Sequence, residues 1–314
     1  MSALVFVTPT WDATSWAEAM RKAAPGLDVS IWPDSGKAED VTYACAWLPP
    51  PDVVKSFPNL KVIFSLGAGV DAILSDPTLP VGVPIVRVND PDLTNRMSEY
   101  VVLHVLMHHR QQRRLDDAQA KGEWNSFPQH AAKDLSVGIM GLGVLGQDAA
   151  RKLAMLGFNV RGWSRTKKDI PGVESFDAAG LDAFLSGTDI LVSLLPATVD
   201  TDGILNTALF KKLSRRGPLG APVIINAGRG RQQNEDDILA CLEDSTLLAA
   251  TLDVFHKEPL STSSALWKHP RVTITPHAAA DSEPATICSY VAEQIRKFEA
   301  GAPLENLVDT KRGY

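Results

Sequence analysis

Cysteine is scarce in this chain. Cys45, Cys241 and Cys288 are the three among 314 residues, far apart and with no C-x-x-C or paired His/Cys spacing, so they offer neither a disulfide framework nor a metal-ligand pattern and fit a reducing compartment. Long apolar runs are missing as well. No stretch approaches the roughly 18 uncharged apolar residues that a membrane span needs. The opening MSALVFVTPTWDATSW places no basic segment ahead of a long apolar one, so no secretory signal is expected there. A basic excess is also absent: Lys and Arg number 31 against 37 Asp and Glu, a formal charge of −6. Such a balance lacks the electrostatic footprint of phosphate-backbone binding. A soluble, cytoplasmic chain with no nucleic-acid and no membrane partner is expected. Internal repeats and low-complexity segments are lacking too.

What is present reads as α/β. The length is about twice the ~150 residues of a typical domain, which favours two domains, and 45% hydrophobic with 22% charged residues is an ordinary globular balance. Short apolar runs at 3–9, 44–50, 61–67 and 84–88 end in Gly, Pro or Asp and are separated by helical stretches such as WAEAMRKAAP. That is the βαβ rhythm of a parallel sheet. From Thr94 to about Lys121, Met97, Val101, His104, Val105 and His108 recur at helical intervals and predict one long helix. A second βα series opens at Leu135, with strands predicted at 136–141, 159–163, 189–196, 222–228, 247–255 and 271–277, enough for a complete doubly wound sheet. After Asp281, the spacing of Ile287, Tyr290, Val291, Ile295 and Phe298 predicts a final amphipathic helix.

Gly141, Gly143 and Gly146 form G-x-G-x-x-G between a strand and a helix. The first glycine suits a tight turn, the second a close approach of backbone to a pyrophosphate, and the third close helix–strand packing. The helix N-terminus adds N–H donors and a partial positive charge. An NAD site usually carries an acid about 20 residues on for the ribose 2′-hydroxyl. Here the strand ends in Gly162-Trp163-Ser164-Arg165-Thr166-Lys167-Lys168, with no acid until Asp169. Ser164 replaces the carboxylate that would repel a 2′-phosphate and Arg165 can pair with one. NADP(H) is therefore favoured, with NAD(H) as the alternative; the bland reading of this basic stretch is a solvated loop.

Three later strands end in chemically capable residues. They are Asn226-Ala227-Gly228-Arg229-Gly230, Asp253-Val254-Phe255 through Glu258-Pro259, and Thr275-Pro276-His277. Arg229 suits gripping a carboxylate and polarising an adjacent carbonyl. His277 suits acid–base work, with Glu258 to orient it. The set suggests carbonyl reduction, although each residue taken singly has a structural alternative.

These segments, in this order over residues 135–280, together with Ser65-Leu66-Gly67-Ala68-Gly69-Val70-Asp71, resemble the D-isomer-specific 2-hydroxyacid dehydrogenase family. Length, the Trp163-Ser164-Arg165-Thr166 loop and Trp47 are most similar to its bacterial NADPH-dependent glyoxylate/hydroxypyruvate reductases. The resemblance implies two Rossmann-like doubly wound domains, the cofactor domain inserted into a flavodoxin-like substrate domain. The substrate domain would be residues 1–93 and 281–314; the NADP(H) domain, with the linking and dimerisation helix, 94–280. Hinges near 90–94 and 277–284 would allow closure over an active site in the cleft. It also implies roles. His277 would protonate the substrate carbonyl oxygen, Glu258 would hold it, and Arg229 would bind the 2-oxo acid. The loop Leu66, Gly67, Ala68 and Gly69 would hold the carboxylate through N–H groups. Cofactor contacts would come from Gly141, Leu142, Gly143, Val144, Leu145, Gly146, Trp163, Ser164, Arg165, Thr166, Leu195, Pro196, Ala227, Gly228, Arg229, Asp253 and His277.

Two places depart from the family pattern: Ala278-Ala279-Ala280-Asp281 where many members have a glycine, and Met97-Ser98-Glu99-Tyr100 in place of a more usual small-residue and Glu segment. Trp47 reads either as a pocket wall favouring two- or three-carbon acids or as core packing. His104 and His108 have the i, i+4 spacing of a metal pair but no third ligand or H-E-x-x-H, so no metal is expected. Arg110, Arg113 and Arg114 read as solvated or intersubunit ion pairs, and the family resemblance implies a homodimer. The expected function is reduction of glyoxylate and hydroxypyruvate by NADPH. The alternatives are a reductase of a larger or aromatic 2-oxo acid and, in another class, a cofactor-sensing corepressor-like binding protein.

Overall fold

Among the residues described in the computed structural model, 2–67, 69–88 and 90–310, twelve strands form two wholly parallel sheets. The chain divides into two units: residues through Leu93 with those from Ser282 onward, and Thr94–Asp281.

The first unit holds a five-stranded sheet of β1 (Ala3–Val7), β2 (Asp28–Ile31), β3 (Val41–Ala46), β4 (Val62–Ser65) and β5 (Ile85–Arg87), in the order β2-β1-β3-β4-β5. This is the flavodoxin-like order. Every residue of β1 is buried, because a parallel sheet is covered on both faces and its strands read as continuous apolar runs. Leu4 and Phe6 enter one core cluster, Val5 and Val7 the other. Each fully buried side chain of this size contributes about 1.5–3 kcal/mol. Helices α1 (Thr14–Ala23) and α9 (Pro284–Glu299) cover the Phe6 face through Ala17, Met20, Ile287 and Val291, while the short α2 (Asp71–Leu74) adds Ile73 to the other face. Glu283 caps α9 by accepting from the Thr286 N–H at 2.6 Å, with Pro284 at its first position, where a missing N–H costs nothing.

The second unit holds seven strands: β6 (Ser136–Met140), β7 (Asn159–Trp163), β8 (Val173–Phe176), β9 (Ile190–Ser193), β10 (Val223–Asn226), β11 (Ala249–Leu252) and β12 (Val272–Ile274), in the order β12-β11-β10-β9-β6-β7-β8. This is the Rossmann-like order with one strand added. Helices α3 (Pro91–His109), whose first turn belongs to the other unit, and α5 (Val144–Met155) pack on one face. On the other face lie α6 (Leu181–Ser186), α7 (Thr207–Phe210) and α8 (Glu235–Glu243). The chain reverses direction of progress across the sheet between β6 and β9, which are hydrogen-bonded neighbours. Such a switch point, at the carboxyl ends of the strands, is where open α/β sheets bind ligands.

Three expectations are corrected. Strands β2 (DVSI) and β8 (VESF) are not expected from the sequence; both are edge strands in which an exposed acid, Asp28 or Glu174, breaks the apolar run. The long helix is broken: α3 ends at His109 and α4 (Gln112–Ala120) restarts after Gln111, which takes a left-handed φ of 51°. Arg113 forms no solvated ion pair; it donates to the carbonyls of Pro270 and Val272, both at 2.6 Å, and to the Thr273 hydroxyl. Arg114 lies 4.0 Å over the Phe127 ring. Among the described residues no helix is long and apolar enough to cross a membrane.

Candidate active site

Gly141 and Gly143 lie between β6 and α5 at the switch point, and Gly146 stands in the first turn of α5. Gly141 has φ +103°, open to glycine at little cost. A Cβ on Gly146 would stand 1.9 Å from the Gly141 carbonyl oxygen, so only glycine lets α5 approach the strand this closely, whereas a Cβ on Gly143 would meet nothing. Gly143 caps α5 without a side chain, and the first-turn N–H groups of Val144 and Leu145 are left to a ligand rather than to a capping residue. A cradle with one open side, at a helix N-terminus, fits a pyrophosphate. Leu142 is buried against Gly162, so it can contribute only its backbone.

The loop after β7 is held from within. The Ser164 hydroxyl donates to the Thr166 carbonyl at 2.8 Å and the Ser164 N–H to Phe176 at 3.1 Å, while Arg165, Thr166, Lys167 and Lys168 are exposed. Trp163 packs partly against the core cluster of that face. On the neighbouring strands, Leu195 and Ala227 are buried and Pro196 is exposed.

The structure brings Glu258 and His277 together. Nδ1 of His277 lies 2.7 Å from Glu258 Oε2, each side chain 36% exposed. Glu258 Oε1 accepts the Phe255 N–H at 2.9 Å. Burial of the carboxyl would raise its pKa, but the hydrogen bonds from His277 and Phe255 and the charges of His277 and Arg229 outweigh this, and Glu258 is held below the usual range. Arg229 also lies in this neighbourhood, its guanidinium donating to the Gly228 carbonyl at 2.8 Å. His277 itself has a left-handed φ of 54°, fixed by its N–H on the carbonyls of Asp253 at 2.8 Å and Thr275 at 3.1 Å. Such a conformation, costing of order 1–3 kcal/mol, persists only where its surroundings impose it.

Asp253, expected as a cofactor contact, is 1% exposed. Its oxygens accept from the Thr275 hydroxyl at 2.6 Å and from the N–H groups of Ala278 at 2.9 Å and Ala279 at 3.1 Å. The carboxylate is thus occupied in clamping the segment that carries His277. Tyr100 on α3 joins this network, 2.8 Å from the Thr275 hydroxyl. Burial, outweighing the Thr275 bond, keeps its own hydroxyl protonated. His104 stacks at an angle on Tyr100, and His108 Nε2 lies 2.9 Å from the Thr251 hydroxyl. These imidazoles are packing and hydrogen-bonding groups of the core.

In the first unit, the Ser65 hydroxyl reaches the carbonyls of Gly67 at 3.0 Å and Gly69 at 2.8 Å and fixes the curvature of their loop. The Ser282 hydroxyl donates to the Leu66 carbonyl at 3.2 Å. Ala68 lies outside the described residues. The Trp47 indole covers Gly67, where a Cβ would stand 2.3 Å from Trp47 Cζ3. Ser65, Thr275 and Tyr100, which the sequence offers only as members of longer segments without a role, support this machinery, as do Gln232 and Gln233, which sequence reasoning missed. The polar Gln232-Gln233 pair directly after the Arg229 turn is the signal that could have pointed to them.

The fold and site define a Rossmann-like protein built to hold a dinucleotide beside an arginine, a histidine and a carboxylate. Residues 102–279 match the D-isomer specific 2-hydroxyacid dehydrogenase NAD binding domain. The chain is 42% identical over 320 residues to glyoxylate/hydroxypyruvate reductase A of Yersinia enterocolitica, covering 99% of each. It superposes with TM-score 0.95 and 50% identity, over 100% of both chains, on the NADPH-dependent glyoxylate/hydroxypyruvate reductase of Sinorhizobium meliloti in complex with NADP and sulfate. A probable 2-hydroxyacid dehydrogenase of Rhizobium etli, in complex with NADP, HEPES and L(+)-tartaric acid, gives TM-score 0.93 and 47% identity over 100% of this chain and 99% of that one. The chain belongs to the D-isomer specific 2-hydroxyacid dehydrogenase family.

Proposed function

We propose that this protein reduces small 2-oxo acids with NADPH, glyoxylate to glycolate and hydroxypyruvate to D-glycerate. The observation that carries the reading is the 2.7 Å contact between His277 Nδ1 and Glu258, with Arg229 among the charges acting on that carboxylate. NADPH bound at the glycine cradle supplies the hydride. His277, with Nδ1 engaged by the carboxylate, presents Nε2 and holds there the proton that the substrate carbonyl oxygen takes. Arg229 grips the substrate carboxylate and draws electron density toward the carbonyl oxygen. The first unit acts as the substrate domain, its Leu66, Gly67, Ala68 and Gly69 loop offering N–H donors and Trp47 a wall. The second unit acts as the NADP(H) domain; Arg165, with Lys167 and Lys168 beside it, receives the 2′-phosphate.

A homodimer is supported by apolar side chains left exposed on the second unit: Leu103 on α3, Trp124, Met155 and Leu156. A cytoplasmic setting fits three free, buried thiols. The test is oxidation of NADPH and of NADH by the purified protein with glyoxylate, hydroxypyruvate, pyruvate and phenylpyruvate. The expected result is turnover of the first two with NADPH; NADPH binding without turnover of any 2-oxo acid would overturn the reading.

A further inference from the structure

The turn after Arg229 carries two glutamines side by side. Both side chains are buried, Gln232 with 0% and Gln233 with 4% of its surface exposed. A primary amide is costly to bury unless its donors and its acceptor are all met. Here they are met by the ends of three different strands. Gln232 Oε1 accepts from the Ser193 hydroxyl at 3.0 Å and from the Arg229 N–H at 3.3 Å. Its Nε2 donates to the Leu195 carbonyl at 2.6 Å and the Pro196 carbonyl at 3.2 Å. Gln233 Nε2 donates to the Val254 carbonyl at 2.8 Å, and its Oε1 accepts from the Asn226 amide at 2.9 Å. That same Asn226 amide donates to the Arg229 carbonyl at 3.2 Å, and its oxygen accepts the Gly228 N–H at 3.1 Å.

The backbone of Arg229 is therefore held at both ends: its N–H by Gln232, its carbonyl by Asn226, which Gln233 orients. Apolar side chains of equal volume would escape the amides' own desolvation cost but would leave the Arg229 N–H, the Ser193 hydroxyl and the Leu195, Pro196 and Val254 carbonyls without these partners. What only an amide provides is a donor and an acceptor in fixed directions, which is how buried polar networks specify a single arrangement. The three segments so joined follow β9, β10 and β11. They carry Leu195 and Pro196, Arg229, and the stretch from Val254 to Glu258.

We propose that Gln232 and Gln233 are positioning residues for the reduction, fixing the Arg229 turn, and hence the direction of its guanidinium, against the neighbouring strand-end loops. The inference rests on the reading of Arg229 as the carboxylate anchor. The side chain of Gln232 meets no reacting atom in this scheme; it acts through the backbone of Arg229.

The test compares the wild-type chain with Q232M, Q232E and Q233M, and uses Arg229→Gln as a separate control. Five quantities are read: kcat and KM for glyoxylate, inhibition by oxalate, the Kd of NADPH by fluorescence, and the melting temperature. Q232M keeps length and volume but no hydrogen bonds. It is expected to bind NADPH within about threefold of wild type while KM for glyoxylate rises at least tenfold and oxalate inhibition weakens by a similar factor. Q233M is expected to change in the same direction. Q232E keeps an acceptor for Ser193 and Arg229 but turns a second oxygen on the carbonyls of Leu195 and Pro196, and is expected to weaken NADPH more than Q232M does. Should Q232M fail to fold, Q233M and Q232E carry the same comparison. Variants that melt lower yet retain wild-type kcat, KM and oxalate inhibition would show a purely structural role and overturn the proposal. Arg229→Gln with wild-type KM would instead overturn the anchor reading beneath it.

Discussion

His277 and Glu258 lie 2.7 Å apart, Nδ1 to Oε2, and the second oxygen of that carboxylate holds the Phe255 N–H at 2.9 Å. One carboxylate thus ties the segment after β12 to the segment after β11. An Nδ1–H donated to Glu258 settles the tautomer, leaving Nε2 as the nitrogen that handles a proton.

Replacement of Glu258 by Gln keeps an acceptor near Nδ1 but removes the charge. The kcat for glyoxylate is expected to fall roughly 10- to 100-fold, against roughly 10²–10⁴-fold for His277→Ala, which deletes the acid itself. Glu258→Gln should bind NADPH within twofold of wild type, measured by fluorescence titration. A Glu258→Gln protein with undiminished kcat would remove the carboxylate from the mechanism.

His108 gives the fold a pH dependence. Burial first, then the charges of His104 and Arg113, push its pKa down to about 3 from an ordinary 6.5. The unfolded chain therefore takes up a proton near pH 6.5 that the folded chain refuses until about pH 3. Stability is complete above the unfolded value and falls as pH drops below it, by up to about 1.4 kcal/mol per unit for one site. Melting curves of wild type and His108→Gln between pH 8 and pH 4.5 are expected to converge at the acid end. A constant gap between them across that range would show that His108 does not titrate on unfolding.

Much of this fold and site is legible in the sequence itself. Eight of the ten strands found in the sequence have neighbours on both sides and so read as apolar runs, and the edge strands β5 and β12 keep such a run too, whereas the two missed edge strands, DVSI and VESF, are broken by the exposed acids Asp28 and Glu174. The glycine turn, Arg229, Glu258 and His277 stood out because each follows a strand end. The supporting residues did not. Tyr100 is separated from Thr275 by 175 residues and Ser193 from Gln232 by 39, and nothing in local periodicity announces such partners. Asp253 shows the opposite difficulty: an acid at a strand end reads as a ligand contact, yet its oxygens are spent on Thr275, Ala278 and Ala279.

Arg165 should decide between the two nicotinamide cofactors. It stands exposed in a loop whose Ser164 hydroxyl is turned to the Thr166 carbonyl, with no carboxylate at that position. A hydrogen bond to a charged group is worth about 1.5–3 kcal/mol, so Arg165→Gln is expected to raise KM for NADPH about 10- to 100-fold and to leave KM for NADH within threefold. Steady-state kinetics with each cofactor at saturating glyoxylate makes the comparison. An equal loss with both would mean that Arg165 contributes to the loop and not to recognition of a 2′-phosphate.

Trp47 and Gly67 form the remaining test, because the indole rests where a Gly67 side chain would have to go. The Trp47 backbone N–H is fixed on the Val7 carbonyl at 2.9 Å, so the residue is anchored by its main chain while its ring lies against Gly67 of the loop proposed to hold the substrate carboxylate. Trp47→Ala removes a wall, and the ratio of kcat/KM for phenylpyruvate to that for glyoxylate is expected to rise at least tenfold, a range that shape discrimination by an apolar wall can supply. Gly67→Ala would push the indole aside without removing it, giving a smaller rise in the same ratio. If both act through the ring, the double variant should match Trp47→Ala alone, since contacting residues with one shared effect are not additive. An unchanged ratio in Trp47→Ala would instead assign the indole to core packing, where its contacts with the first unit's apolar cluster already place part of it.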